Sequence, residues 1–281
     1  MKKEIIFFAL LISCYSLQAN DNTPLGARSS GIGGASVSLS DVWSVQNNQA
    51  GLAFIKTATT GIVFQNQFSL KELSTKAIAS AFPVKGGTIG LAMSTYGYSV
   101  FNQNKIGLSF GKSFGNTIAA GISLDYLTTN MLNYGTKNSL VVEAGIQFKP
   151  IKNMTVGAHV FNITRTKLAT YNEERLPTIM RIGFNYLFSE KVLSSMELEK
   201  DLNQKNIVKI GIEYKPINSF YIRMGIATNP SLSCFGIGIN LKQFKVDIAS
   251  SYHSTLGLSP QIGLTYQFGK KKTAKNDLPT N

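Results

Sequence analysis

From Thr57 to Gly269 the chain alternates large apolar residues with small or polar ones, and a period of two admits only extended strands. In "IGLSFGKSF" Ile106, Leu108, Phe110 and Phe114 share one face, and Gly107, Ser109, Gly111 and Ser113 share the other. Lys112 interrupts the apolar row near the strand end, where a long basic side chain can reach an interface. "NTIAAGISLDYL" sets Ile118, Ile122, Leu124 and Tyr126 opposite Gly121, Ser123 and Asp125. "SLVVEAGIQF" sets Val142, Ile146 and Phe148 opposite Glu143, Gly145 and Gln147. "TIMRIGFNYLF", "NIVKIGIEY", "FYIRMGIA" and "CFGIGIN" continue the pattern, with Arg181, Lys209, Glu213 and Arg223 on the small or polar face.

A soluble sandwich also alternates, with its apolar face toward a core. Here the apolar row ends repeatedly in an aromatic residue: Phe114, Tyr126, Phe148, Tyr186, Tyr214 and Phe268. Such endings predict girdles at a membrane interface. The opposite face is rich in Gly and Ser with isolated charges, as a crowded lumen requires. Charged residues make up only 15% of the chain, and mean hydropathy is near zero. No apolar run after the first twenty residues approaches a membrane helix. The fold class predicted is therefore all-β: a transmembrane antiparallel β-barrel. About fourteen strands are expected, separated by short turns such as "PVKGG", "KPIKN", "KPINS" and "HSTLGLSP". Phe82-Pro83 and Leu176-Pro177 mark strand ends or kinks.

The start of the chain predicts export. Lys2 and Lys3 precede the apolar stretch Ile5 to Ile12, and Leu17-Gln18-Ala19 offers a cut, so residues 1–19 read as a signal peptide. Leu11-Ile12-Ser13-Cys14 also resembles a lipobox, which would make Cys14 a lipidated N-terminus. Cys234 is then the only other cysteine and reads as a small strand residue. The net charge of +13 does not predict nucleic-acid binding. Part of the excess lies in "GKKKTAK", and residues 270–281 read as a basic, solvated tail.

Residues 20–55 do not alternate. "DNTPLGARSSGIGGASVSLS" is loop-like with at most one short strand, and Ser40 or Asp41 is placed to cap a short helix, "VWSVQNNQ", ending near Gly51. A segment of this size ahead of the first strand is a periplasmic extension or a plug.

These pieces in this order resemble the outer-membrane PorV/PorQ family of Bacteroidetes, itself similar to the FadL-type channels. "GARSSGIGGASVSLSD" resembles that family's N-terminal segment and "NNQAGLA" its hatch motif, with Gln49 where the family usually has Pro. "VGAHVFNI", "LPTIMRIGFNY", "IGIEYKP", "FYIRMGI" and "FGIGINLKQFKVDIASSYHSTLG" resemble its successive strands. The resemblance implies a fourteen-strand barrel, residues 56–269, integral to a bacterial outer membrane and closed by a lumenal hatch, residues 20–55. It also implies two kinds of partner besides lipid: a hydrophobic small molecule that is bound or passed, or secreted and surface proteins held by a type IX secretion scaffold.

Catalytic chemistry is not predicted. Gly31, Gly33 and Gly34 lack the Lys-Ser/Thr of a phosphate loop and read as packing glycines in the hatch. The Asn-x-Thr triplets around Met154 and Ile163 carry no weight without a glycosylating host. His253 and its neighbour Ser254 point to opposite strand faces, and His159 has no nucleophile motif. No cluster has metal-ligand spacing, and no cofactor is expected. Asp125, Glu143, Arg181, Lys209, Glu213 and Arg223 should face the lumen and pair there, bracing the wall or lining a polar path. Trp43, Asn47, Asn48 and Gln49 should either pack the hatch or contact a ligand, wedged against those charges.

Overall fold

The computed structural model describes residues 22–166, 175–202 and 204–269. The leader, Cys14 and the tail 270–281 lie outside them. Fourteen strands form a closed antiparallel barrel in which every strand pairs with its neighbours in sequence. They are β1 (Thr59–Asn66), β2 (Ser74–Val84), β3 (Gly87–Gly97), β4 (Phe101–Phe114), β5 (Ile118–Met131), β6 (Gly135–Ile151) and β7 (Met154–Phe161), then β8 (Ile179–Ser189), β9 (Val192–Asp201), β10 (Ile207–Ile217), β11 (Phe220–Ala227), β12 (Leu232–Leu241), β13 (Phe244–His253) and β14 (Gly257–Gln267). β1 closes on β14 from Thr59↔Gln267 to Gln65↔Gln261, so that seam leaves no free edge.

The alternation sorts the two faces. On β4, Ile106 and Leu108 are 50% and 55% exposed, while Ser109 is 1% exposed. Outside there is a band of Ile, Leu, Met and Phe; inside, Lys, Arg, Glu and Asp are buried. A soluble protein has the reverse arrangement, so this exterior matches hydrocarbon rather than water.

The rim where β1 begins and β14 ends, here the terminal rim, is connected by turns of two or three residues. Four of the seven far-rim connections, those after β1, β7, β9 and β11, are longer. Phe114, Phe148, Tyr186, Tyr214 and Phe268 gather near the terminal rim, whereas Tyr126, opposite Ile106, lies toward the far one. The expected turns at "KPIKN" and "KPINS" start later than the sequence implies. β6 runs through Pro150 and β10 through Pro216, each at a register shift where a residue without an N–H is accommodated. Pro83 likewise lies within β2, opposite Thr88. Leu258, Ser259 and Pro260 belong to β14 and not to a turn.

Residues 22–55 fill the lumen and contain no strand. "ARSSG", expected as loop, forms a short helix, Ala27–Gly31. The helix expected over 42–49 is shorter, Ser44–Asn47. Asp41 Oδ1 accepts the Trp43 N–H at 3.0 Å and Ser44 Oγ accepts the Asp41 N–H at 3.2 Å, so the turn before Ser44 is closed by these two side chains. Asn48 then becomes extended and a 3-10 turn, Gln49–Phe54, follows.

Candidate functional site: the hatch and the chambers it separates

The hatch lies directly on the barrel wall because the wall residues beneath it are glycines. Gly111, Gly121 and Gly145 stand side by side across β4, β5 and β6. A Cβ on Gly111 would sit 2.6 Å from the Gln49 carbonyl oxygen. One on Gly121 would fall on the Gln49–Ala50 peptide, and one on Gly145 on the Asn48 side chain. A second pair, Gly157 and Gly183 across β7 and β8, receives Val37. A third, Gly211 and Gly225 across β10 and β11, receives Ile32 and Gly33. Gly33 is itself left-handed, φ 72°, which an L side chain rarely adopts.

Amides fasten what the glycines admit. Asn48 Nδ2 donates to the Val37 carbonyl at 2.6 Å and to the wall carbonyls of Ile146 and Ala158 at 3.2 and 3.3 Å. Its Oδ1 accepts the Ala50 N–H at 3.1 Å. Gln147 reaches from β6 to the Leu39 carbonyl at 2.9 Å, and Asn185 from β8 to the Ser38 carbonyl at 2.8 Å. Asn47 pairs with both backbone groups of Leu25. Apart from the two wall carbonyls, the groups these bonds satisfy are hatch backbone groups that no β-ladder serves.

Three ionic clusters surround this frame. In the first, Lys105 on β4 lies 2.8 Å from Asp125 on β5 and 2.6 Å from Glu143 on β6. The other Glu143 oxygen accepts from Gln49 Nε2 at 2.7 Å and lies 3.0 Å from His159 Nε2. In the second, Lys209 bridges Glu197 and Glu199 at 2.8 and 2.7 Å, and Arg181 meets Glu199 at 2.8 Å. Glu197 also accepts the Ser36 and Val37 N–H groups, each at 2.8 Å. In the third, Glu213 lies between Arg223 at 2.6 Å and Arg28 at 2.8 Å, and Arg223 continues to Asp247 at 2.8 Å. Burial disfavours the Arg28 charge, but Glu213 and Asp41 more than reverse this and hold its pKa above the usual arginine value.

All six charged residues singled out in the sequence, Asp125, Glu143, Arg181, Lys209, Glu213 and Arg223, are buried, face the lumen and are paired. Lys105, Glu197, Glu199, Asp247 and Arg28 were missed. The first four share the lumen-facing parity of their strands and could have been counted. Arg28 is on the hatch, where no period marks its direction. Gln49 meets the lumen charge at Glu143, but Trp43 does not. Trp43 packs with Leu25, Val42, Val45 and Leu52 against Val63, Ala77, Ala79, Ala81 and Ala92 of β1, β2 and β3. That sector of wall is lined by small apolar side chains, so an indole is accommodated there without opposing an ion. His253 closes its own turn, accepting the Thr255 and Leu256 N–H groups. Among the described residues no group of three or more His, Cys, Asp or Glu is placed to hold a metal.

Cavities lie on both sides of the Trp43 cluster. Toward the terminal rim, one of about 470 Å³ is lined by Val42, Trp43, Phe54 and Phe244 with Lys56 and Lys245. A neighbouring one of about 360 Å³ shares Arg28 and Lys245 with it. Toward the far rim, a polar cavity of about 210 Å³ includes Leu25, Gln46 and Tyr96. Another, of about 220 Å³, is lined in part by Pro24, Phe68, Ile207, Pro230, Leu232 and Cys234.

No protein-family model and no curated protein matches the chain. Solved structures do match it. The CymD monoaromatic hydrocarbon channel is similar with a TM-score of 0.71 and 12% identity, over 89% of this chain and 99% of that one. The Ralstonia pickettii toluene transporter TbuX gives 0.69 and 11%, over 89% and 100%. A Pseudomonas aeruginosa FadL homologue gives 0.61 and 12%, over 90% and 99%. At such identities the likeness is one of fold, a closed fourteen-strand antiparallel β-barrel.

Proposed function

We propose that this chain is an integral outer-membrane barrel that binds or passes a hydrophobic small molecule, with the hatch as its gate. On this reading residues 1–19 export the chain, and the terminal rim, with its short turns, faces the periplasm. The observation that carries the reading is the uneven fastening of the hatch. Hydrogen bonds and the Arg28–Glu213 ion pair tie it to the wall from β6 round to β10, and Ser30 ties it to Gln261 on β14. On β1, β2 and β3 it is held by apolar contact at Trp43, Val42 and Val45, with cavities above and below. An apolar solute can replace apolar contacts with little loss, whereas it cannot replace an ion pair. The passage is therefore placed along the Trp43 side, and Trp43 is the side chain that must move. The similarity in fold to structures described as hydrocarbon channels and toluene transporters supports this reading.

The test is uptake of labelled toluene and of a long-chain fatty acid by cells lacking their own hydrophobic-compound channels. Val42 Cγ1 lies 3.0 Å from where a Cβ on Gly61 would sit, so a Val42→Cys, Gly61→Cys pair is within disulfide reach. Uptake should depend on the protein, stop when this pair is oxidised and return on reduction. Uptake indifferent to the protein or to the bridge would reject the gate.

A second reading makes the barrel a closed scaffold for secreted or surface proteins, kin to PorV and PorQ. What favours it is the extent of the polar fastening of the hatch and the order of the sequence motifs that resemble that family's. Isolation from native outer membranes with a stoichiometric protein partner and no apolar ligand would select it.

A further inference from the structure

We propose that the terminal rim is a lysine collar that binds anionic glycerophospholipid headgroups of the leaflet around it. The proposal rests on the membrane reading above. Each of the six strand connections at this rim carries a lysine within it or a few residues before it. These are Lys85, Lys112, Lys152, Lys191, Lys215 and Lys242. All but Lys215 are exposed, and Lys215 is half-buried. Glu190 is the one exposed carboxylate at these connections among the described residues. At the far rim the connections after β3, β11 and β13 hold no charged residue.

The distribution decides the occupant. A protein partner grips one sector of a surface, and its charges cluster there. Here the charges recur at every hairpin round the circumference, as the headgroups of a surrounding leaflet do. The layer just inside them is aromatic and outward-facing, with Phe114, Phe148, Tyr214 and Phe244 between 42% and 55% exposed. Lys112 lies over the Phe114 ring, 5.5 Å from its centroid. Aromatic rings at headgroup level with ammonium groups just beyond them set a membrane depth and favour phosphate. Gly269, the last described residue, stands at this rim, and the sequence after it reads Lys270-Lys271-Lys272.

The test is native mass spectrometry of the full chain released from nanodiscs of mixed phosphatidylethanolamine and phosphatidylglycerol. The native protein should retain phosphatidylglycerol at least threefold above the bulk ratio, and the enrichment should fall as salt is raised. A variant with Lys85, Lys112, Lys152, Lys191 and Lys242 changed to Gln should retain the bulk ratio. A far-rim variant, Lys71→Gln, Lys76→Gln and Lys137→Gln, should keep the enrichment. A bulk ratio for the native protein, equal enrichment in the collar variant, or equal loss in the far-rim variant would overturn the proposal. Should the collar variant not fold, enrichment in the native protein that is insensitive to salt would overturn it equally. Capture of an acidic protein without lipid enrichment would overturn it in favour of a protein partner. A chain that does not enter nanodiscs at all defeats the membrane reading instead, so the two failures are distinguishable.

Discussion

Gly145 shows what a single missing side chain does in this barrel. Its would-be Cβ falls on the Asn48 amide, so Gly145→Ala must break the hydrogen bonds that hold that side chain or lift the hatch off the wall. The expected cost is about 1–3 kcal/mol, read as lower urea resistance of the folded barrel in vesicles and faster proteolysis of the hatch. Gly263→Ala is the matched control, because its Cβ would meet Ala27 at an ordinary 3.5 Å, and it should be near neutral. Lys105 makes the complementary case. It is the cation between Asp125 and Glu143, and Lys105→Met leaves both carboxylates facing each other without it. Removing one partner of a buried pair costs about 3–5 kcal/mol. Pairing Lys105→Met with Glu143→Gln should cost less than the sum of the two single changes in the same unfolding assay. The lumen-facing direction of both residues was legible in the sequence, since both lie on the inward parity. What each one touches was not, because the partners come from other elements: Asn48 of the hatch lies on Gly145, and Lys105 meets Asp125 of β5 and Glu143 of β6.

Among the elements, the hatch is where local sequence signals carried least. The helix expected over 42–49 is cut to Ser44–Asn47 because Asn48 is used otherwise: it turns extended, and its amide ties three carbonyls. A helix continuing through Asn48 would forfeit these bonds, two of which join hatch to wall. Asn48→Ala should therefore cost about 1–3 kcal/mol and expose the hatch to protease while the strands stay protected, as hydrogen exchange would show. Trp43→Ala acts on the other side of the same element. It removes the apolar plug between the chambers without touching an ion pair. It should raise uptake of an apolar solute and leave the protease resistance of residues 31–41, held by Glu197 and Gln147, close to native. The strands, by contrast, were misread chiefly where prolines read as turns: β14 includes Pro260, and β6 and β10 run through Pro150 and Pro216, where a bulge lets the ladder continue past a residue that usually ends it.

The whole molecule is stabilised by closure and by its surroundings. An apolar exterior and an ionic interior are stable together only when the exterior meets hydrocarbon and the interior is filled. The folded barrel should resist detergent until boiled, giving a heat-modifiable shift on gels, and it should fractionate with membranes. Leu108 lies mid-strand on the outer face, opposite Leu91 and Leu124. Leu108→Lys should destabilise the barrel in vesicles by about 2–4 kcal/mol, whereas a shift below 1 kcal/mol would mean that this face does not meet lipid.

The period of two, read alone, determined that the chain forms strands, which side chains face outward, and that the inner face carries the charges. It could do so because a strand's two faces alternate regardless of what lies beyond them. It also marked residues 20–55 as something other than strand, by the lack of that period. Only the tertiary structure decided which inner positions meet. The glycine tracks exist because register sets Gly111 beside Gly121 and Gly145, and the hatch then lies on them. Trp43 went to the apolar sector and Gln49 to Glu143 because the closed wall offers small apolar side chains on β1, β2 and β3 and an ionic network on the strands beyond them. That division is a property of the closed ring, and no local stretch of sequence contains it.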